Sequence, residues 1–353
     1  MNITLLFPKH STKFRFGDAG GKIKKSFSSD QLVSALINNV SLLYGQRKVD
    51  EFIDLLTNDE IKVSSLFYGI QFLSKTNEND QATLLFLPRP NVEFKSSLHQ
   101  KNSMSFKDIK KIKYVSVNLY KKLSASWDEE KELCELDFDS VVIIDKTFAV
   151  LQEELNSIKM DKNELSSIKI WQHAIKPGVE VNRIHQQSEN FYFHEDLEFL
   201  FYETSQYIVR PFMYFIYEET LPPFIKAAIH LLVDEGIGGD RSLGKGYFEK
   251  VEFIHQPLKI PKEGKFYMNL STYFPKKEEV CHLYYYELEK RSGFIYSLGG
   301  KTVRKKSTMV IGEGSLVKEQ VKGQLVNVTP EGFDHPIYLY GKPILIGFGG
   351  EQK

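Results

Sequence analysis

The stretch GIGGDRSLGKG (236–246) joins LPPFIKAAIHLLVDE (221–235) to the alternating segment YFEKVEFI (247–254). The preceding run carries Pro222 and Pro223 where a helix tolerates proline, in its first turn. Phe224, Ala228, Leu231 and Leu232 give it a helical apolar stripe, and Gly236 stops it. The order is therefore helix, glycine loop, strand. Five glycines in eleven residues let the backbone turn with positive φ or approach a ligand closely. Gly239-x-x-x-x-Gly244-Lys245 matches most of a nucleotide-binding P-loop. Two features exclude that reading: Gly246 stands where a Ser or Thr would hold Mg²⁺, and a P-loop runs from strand to helix. What remains is a loop with backbone donors and two cations, Arg241 and Lys245, suited to the backbone of a nucleic acid. The bland alternative is a packing turn.

Upstream, FYFHEDLEFLFYE (191–203) and YIVRPFMYFIYEE (207–219) read as aromatic-rich strands, after a strand-like opening KIWQHAIKPGVEVNR (169–183). The first half begins with a strand at residues 2–8 and a Gly-containing loop carrying Lys13, Arg15, Lys22, Lys24 and Lys25. A helix follows near Ser29, capped by Ser28 or Ser29, with Asp30 at its positive end. Leu32, Leu36, Val40 and Leu43 form its stripe, and Gly45 ends it. Residues 61–73 and 82–87 alternate as strands. Residues 88–126 read as a basic, partly helical insertion with Lys95, Lys101, Lys107, Lys110, Lys111 and Lys113. The polar residues 156–167 read as a linker. Strand–loop–helix–strands occurs once in each half without regular βαβ alternation, which predicts an α+β architecture with domains at 1–165 and 166–353 and the glycine loop in the second.

The chain has 353 residues, 42% of them hydrophobic, with 26 Phe and 18 Tyr, enough for packed cores. Its 46 basic and 46 acidic side chains cancel. A nucleic-acid binder draws affinity from counterion release, so any such site here is a local patch and not a general basic coat. Two cysteines, Cys134 and Cys281, supply no disulfide framework and no Cys-based zinc site. No run approaches the roughly 20 apolar residues of a membrane helix. The expectation is a soluble, cytoplasmic protein.

GIGGDRSLGKG followed by an aromatic-containing strand resembles the signature loop of the RAMP superfamily of CRISPR proteins. Three further stretches resemble the same superfamily: SFSSDQLVSAL (26–36), VNRIHQQSENFYF (181–193) and DHPIYLYGKPILIGF (334–348). The terminal stretches resemble the type III-A (Csm-type) subunit that holds the 5′ handle of the guide RNA. The resemblance touches both halves and both ends. It implies two ferredoxin-like (RRM-related) domains and binding of the CRISPR RNA 5′ handle. It also implies docking to a large polymerase-like subunit and to a backbone RAMP subunit, with no catalytic centre, cofactor or metal. Carried onto this chain, the matching positions are Ser29 with Asp30, Asn182 with Arg183, and the loop Gly236, Gly238, Gly239, Arg241, Ser242, Gly244, Lys245 and Gly246. Lys13 and Arg15 join them as phosphate contacts, beside Phe14, Phe16, Phe27, Phe94, Phe106 and Tyr114 as rings on which bases stack. The patch KTVRKK (301–306) is available to RNA or to a partner.

The alternative is a metal-independent endoribonuclease that processes CRISPR transcripts. It would need two positioned acid–base groups, and the sequence offers His10 at the end of the first strand and His99 in the basic segment. His173, His185, His194, His230, His255, His282 and His335 show no metal-binding spacing. The pairs Glu195–Asp196 and Glu218–Glu219 read as exposed strand ends.

Overall fold

In the computed structural model, described for residues 1–17, 23–77, 80–96, 106–182, 184, 187–256, 258–295 and 303–350, the architecture is mixed α+β. One large sheet organises it. Tyr207–Glu218 runs antiparallel between Asn2–Phe7 and Phe67–Ser74, and Lys250–Ile254 closes the far side of Asn2–Phe7. Beyond Phe67–Ser74 the sheet continues through Ala82–Pro88, Tyr114–Ser116, Phe148–Leu151 and Val141–Ile144. Helix Ser29–Tyr44 follows the first strand, and Pro223–Glu235 lies between Tyr207–Glu218 and Lys250–Ile254. Residues 2–254 thus contain a βαββαβ unit whose second and third strands are separated by 132 intervening residues (75 to 206).

This topology corrects the expected division. The strand at 207–218 is paired on both sides with strands from the first 74 residues, so no sheet boundary falls at 165/166. The glycine loop belongs to the sheet that holds the N-terminal strand. Residues 156–167 are no loose linker either: Ile158 and Leu165 are buried, and Lys162–Ser167 is a short helix capped by Asp161. The described parts of the segment 88–126, residues 88–96 and 106–126, are likewise built in. Tyr114–Ser116 pairs with Ala82–Pro88, and helix Val117–Ala125 buries Leu119, Tyr120 and Leu123 beneath the sheet.

Side-chain alternation explains why the sheet is covered on both faces. In Tyr207–Glu218, Met213, Phe215 and Tyr217 face one core while Phe212, Tyr214 and Ile216 face the other. The first core receives Leu32, Leu36 and Val40 from Ser29–Tyr44, with Ala228 and Leu232 from Pro223–Glu235. The second receives helix Val117–Ala125 and, from the C-terminal region, Phe266, Met268, Ile346 and Phe348. Each fully buried Leu, Val, Ile, Phe or Met side chain among them contributes about 1.5–3 kcal/mol relative to exposure. Leu43, expected in the helix stripe, is 44% exposed, because a second helix, Gln46–Thr57, starts directly after Gly45 and takes over the packing with Val49, Phe52 and Leu56.

The C-terminal region is a set of short strands. Phe266–Asn269 lies between Leu345–Phe348 and Leu316–Val317, and two hairpins stand beside them: Leu288–Arg291 with Thr308–Ile311, and Gln324–Asn327 with Tyr338–Gly341. A much longer hairpin, Trp171–Asn182 with Gln187–Phe199, lies outside the main sheet. Among the described residues no helix is long and apolar enough to cross a membrane.

Candidate nucleic-acid interface

The glycine loop is stitched to the segment after the first strand. Gly239 N–H donates to Arg15 O at 2.9 Å, and Gly246 N–H donates to Lys13 O at 2.8 Å. Ile237 N–H donates to Gly246 O at 2.9 Å, closing the loop on itself. Gly246 has φ 80, and a Cβ there would stand 2.0 Å from Ile237 O, so only glycine fits. The amides of Gly236, Leu243 and Gly244 are also spent inside the loop or its helix. The expected cradle of backbone donors is therefore largely consumed in holding the loop's own shape.

Lys245 departs from expectation in the same way. Its Nζ donates to Asp196 Oδ1 at 2.7 Å and to Asp240 Oδ2 at 2.9 Å, and its side chain is only 15% exposed. Arg15 Nη1 donates to Asp240 Oδ2 at 2.9 Å and lies 2.8 Å from His194 Nδ1. Burial pushes the Asp240 carboxyl up, but the bonds from Lys245 and Arg15 outweigh it and leave the group below the ordinary carboxylate range. Burial pushes the Lys245 ammonium down, and Asp196 and Asp240 more than reverse this. Lys245 is thus a tie between loop and hairpin root, and its charge is neutralised there.

Ser29 is a second correction. It is fully buried; its N–H donates to Ser65 Oγ, and its hydroxyl accepts from Thr272 N–H at 2.8 Å. Asp30, beside it, accepts from Thr272 Oγ1 at 2.8 Å and from Arg291 Nε at 3.2 Å. These two residues fasten the helix to the C-terminal region and do not reach solvent. Phe14, Phe16, Phe27 and Phe94 are buried, so they are core and offer no stacking surface; Tyr114 is half-buried. Asn182 lies at the end of the long hairpin, paired with Gln187. Arg183, Lys22, His99, Lys101, His185 and Lys301 lie outside the described residues, and only the backbone of Phe106 is described.

A cleft does open beside the loop. It measures about 330 Å³ and runs between Gly236, Gly238 and Gly239 on one wall and the outer face of helix Ser29–Tyr44 on the other. Arg15, Arg241 and Lys305 bring positive charge to it, and Gln31, Ser34 and Asn38, at spacings of three and four, bring polar side chains. A second cleft of about 470 Å³ continues past Ser34, Asn38, Phe294 and Lys305 toward His335. Ser242 is exposed on the loop. Arg241 lies 4.0 Å from Glu235. The polar helix face was readable in the sequence as the complement of the apolar stripe, and Lys305 as part of the basic run 301–306; Phe294 was not, because it arrives from the C-terminal hairpin.

The long hairpin adds aromatic surface. Phe191 and Phe193 are 66% and 64% exposed, with ring centroids 5.0 Å apart. They share a hairpin face with Ile175 and Val179, also exposed. His10 Nδ1 accepts from Phe201 N–H at 2.9 Å. Among the described residues, no group of three or more His, Cys, Asp or Glu side chains is placed to hold a metal ion.

Residues 262–348 match the profile of the CRISPR Csm4 C-terminal domain. The whole chain is 29% identical over 402 aligned positions to the CRISPR system Cms protein Csm4 of Methanocaldococcus jannaschii, an alignment that covers 100% of this chain and 99% of that protein. The Csm4 protein of Thermococcus onnurineus is 33% identical over 175 residues, 48% of this chain and 53% of its own length. In fold, the chain is similar to one in the crystal structure of the Csm3–Csm4 subcomplex of the type III-A CRISPR-Cas interference complex. That similarity has a TM-score of 0.64 and 25% identity, covering 99% of this chain and 100% of the other. A chain of the Csm1–Csm4 cassette crystallised with cA4 shares the fold at a TM-score of 0.54 and 20% identity, covering 100% and 99%. The loop, the terminal segments and these end-to-end similarities agree: along its whole length the chain is similar to Csm4 proteins of type III-A CRISPR systems.

Proposed function

We propose that this chain is a non-catalytic subunit of a type III CRISPR effector complex that holds the 5′ handle of the CRISPR RNA. The observation that carries the reading is the cleft lined by Arg241, Lys305 and the polar side of helix Ser29–Tyr44, with Arg15, paired to Asp240, beside the loop. A net-neutral chain that binds RNA needs such a local concentration of cations, and this one adjoins a glycine loop rigid enough to hold it. The exposed Phe191 and Phe193 supply stacking surface for bases, which every base tolerates. The βαββαβ unit over residues 2–254 supports a ferredoxin-like, RRM-related reading of that part of the chain. Similarity to chains solved as Csm3–Csm4 and Csm1–Csm4 assemblies supports docking to a backbone RAMP subunit and to a large subunit.

The test is the salt dependence of binding to a handle-bearing single-stranded RNA. The Arg241→Ala/Lys305→Ala double variant is expected to bind more weakly, with the slope of log affinity against log salt reduced by about 0.7 for each phosphate that is no longer neutralised. Unchanged affinity and slope would remove the cleft from the RNA path. Incubation of wild type and His10→Ala with repeat RNA is expected to give no product from either; a product that depends on His10 would replace the binding role with an endoribonuclease.

A further inference from the structure

A larger cleft lies elsewhere, at the root of the long hairpin. It measures about 630 Å³, within the range that holds small ligands. Glu313 and Asn91 line it: Ser65 Oγ donates to Glu313 Oε1, Asn91 N–H donates to Gly314 O at 2.9 Å, and Asn91 Nδ2 donates to Ser315 Oγ at 3.4 Å. Lys25 lines it with its Nζ 4.7 Å from the Trp171 ring centroid. Lys113, exposed, also lines it, anchored by its N–H to Thr147 O at 2.9 Å. Tyr286, 46% exposed, is a further lining residue.

We propose that this cleft takes one nucleotide, with its base against Tyr286, Asn91 and Glu313 and its phosphate at Lys25 and Lys113. The parts correspond to the ligand. An aromatic face offers stacking to any base, an amide and a carboxyl offer edge hydrogen bonds, and two lysines among the lining residues offer charge to a phosphate. Burial raises the Glu313 carboxyl above the usual range. Arg89 is part of the wall and not of the ligand set, because its Nη1 donates to Ile109 O and its guanidinium lies over Phe94.

The nucleotide has two sources to be told apart, a residue splayed out of the bound guide RNA and a free ribonucleotide; the first rests on the function proposed above. Titration of the full chain with AMP, GMP, CMP and UMP, followed by tryptophan fluorescence, reads the free nucleotide, since Trp171 lines the cleft. Binding of a fluorescein-labelled 12-nucleotide single-stranded RNA reads the other. Tyr286→Ala and Lys113→Glu alter exposed side chains and are expected to weaken the resident ligand about fivefold or more. Loss of RNA affinity with no mononucleotide response assigns the site to the strand; loss of mononucleotide quenching with RNA affinity intact assigns it to a free nucleotide. Wild-type behaviour of both variants toward both probes, or no binding of either probe by the wild type, overturns the proposal. The Arg241→Ala/Lys305→Ala variant separates the two readings: if it alone loses RNA and both cleft variants respond to mononucleotides as the wild type does, the cleft proposal fails while the RNA groove stands.

Discussion

Arg291 Nε lies 3.2 Å from Asp30 Oδ1, a buried ion pair that ties the first turn of helix Ser29–Tyr44 to the C-terminal hairpin. The two side chains are 8% and 1% exposed. Removing one partner strands a charge away from water, so Arg291→Ala is expected to cost about 3–5 kcal/mol in urea unfolding. The Asp30→Asn/Arg291→Met double variant should recover part of that loss. Burial raises the Asp30 carboxyl, but the charges of Arg291 and Lys305 and hydrogen bonds from Ser28 and Thr272 overcome it, leaving the folded value below 3.8. The pair's stability is therefore present above pH 3.8 and lost as pH falls through the lower folded value. Melting curves in acid should show that loss in wild type and not in Asp30→Asn.

Glu313 carries the opposite sign. Burial raises its carboxyl above 4.5, so the folded state holds a proton that the unfolded chain releases. Stability falls as pH rises from 4.5 through the raised folded value. Glu313→Gln, which keeps an acceptor for Ser65 Oγ, is expected to raise the melting temperature at pH 7 and leave it nearly unchanged at pH 4. An equal effect at both pH values would show that ionisation is not the cause.

The loop glycines separate by what surrounds them. Gly244 has φ 74 and open space, so Gly244→Ala should cost about 1–2 kcal/mol for the left-handed backbone alone. Gly246→Ala adds a collision with Ile237 O and should cost clearly more. Denaturant midpoints of the two variants give the comparison directly.

Lys245 and Arg241 divide stability from binding. Lys245→Met leaves Asp196, 1% exposed, without its cation and should cost about 3 kcal/mol. Arg241→Ala should change the melting temperature far less while lowering RNA affinity and its salt slope. Thermal unfolding and RNA titration of both variants check the division.

Phe191→Ser/Phe193→Ser alters rings already in water, so stability should stay within about 0.5 kcal/mol of wild type. RNA affinity should fall if bases stack there. Unchanged affinity would leave this hairpin face to a protein partner.

The two helices and the glycine loop were legible because each depends on local chemistry: the caps at Ser28 and Pro222, the stripes through Leu36 and Leu232, the stop at Gly236. The division into domains was not. It depended on Met213 and Tyr214 meeting residues from the first strand more than 200 positions away, a pairing that alternation in either segment alone does not specify. The site divided along the same line. Arg15 and Arg241 stood out as cations near glycines and do line the cleft. Lys245 and Ser29 looked equivalent in the sequence, yet Asp196 and Thr272, distant in sequence, claim them. Lys305 sat in a charge run of the kind that is usually only solvated, and its place beside the loop came from packing of the C-terminal hairpin.

The closing edge of the sheet sets a constraint on biosynthesis. Residues 3–7 acquire one of their two neighbours only when residues 250–254 have left the ribosome. At roughly 5–20 residues per second, that is a wait on the order of ten to fifty seconds during which an apolar strand has an unsatisfied side. Nascent chains shorter than about 260 residues should therefore depend on chaperones for solubility, and release of that dependence should coincide with emergence of the segment after the glycine loop.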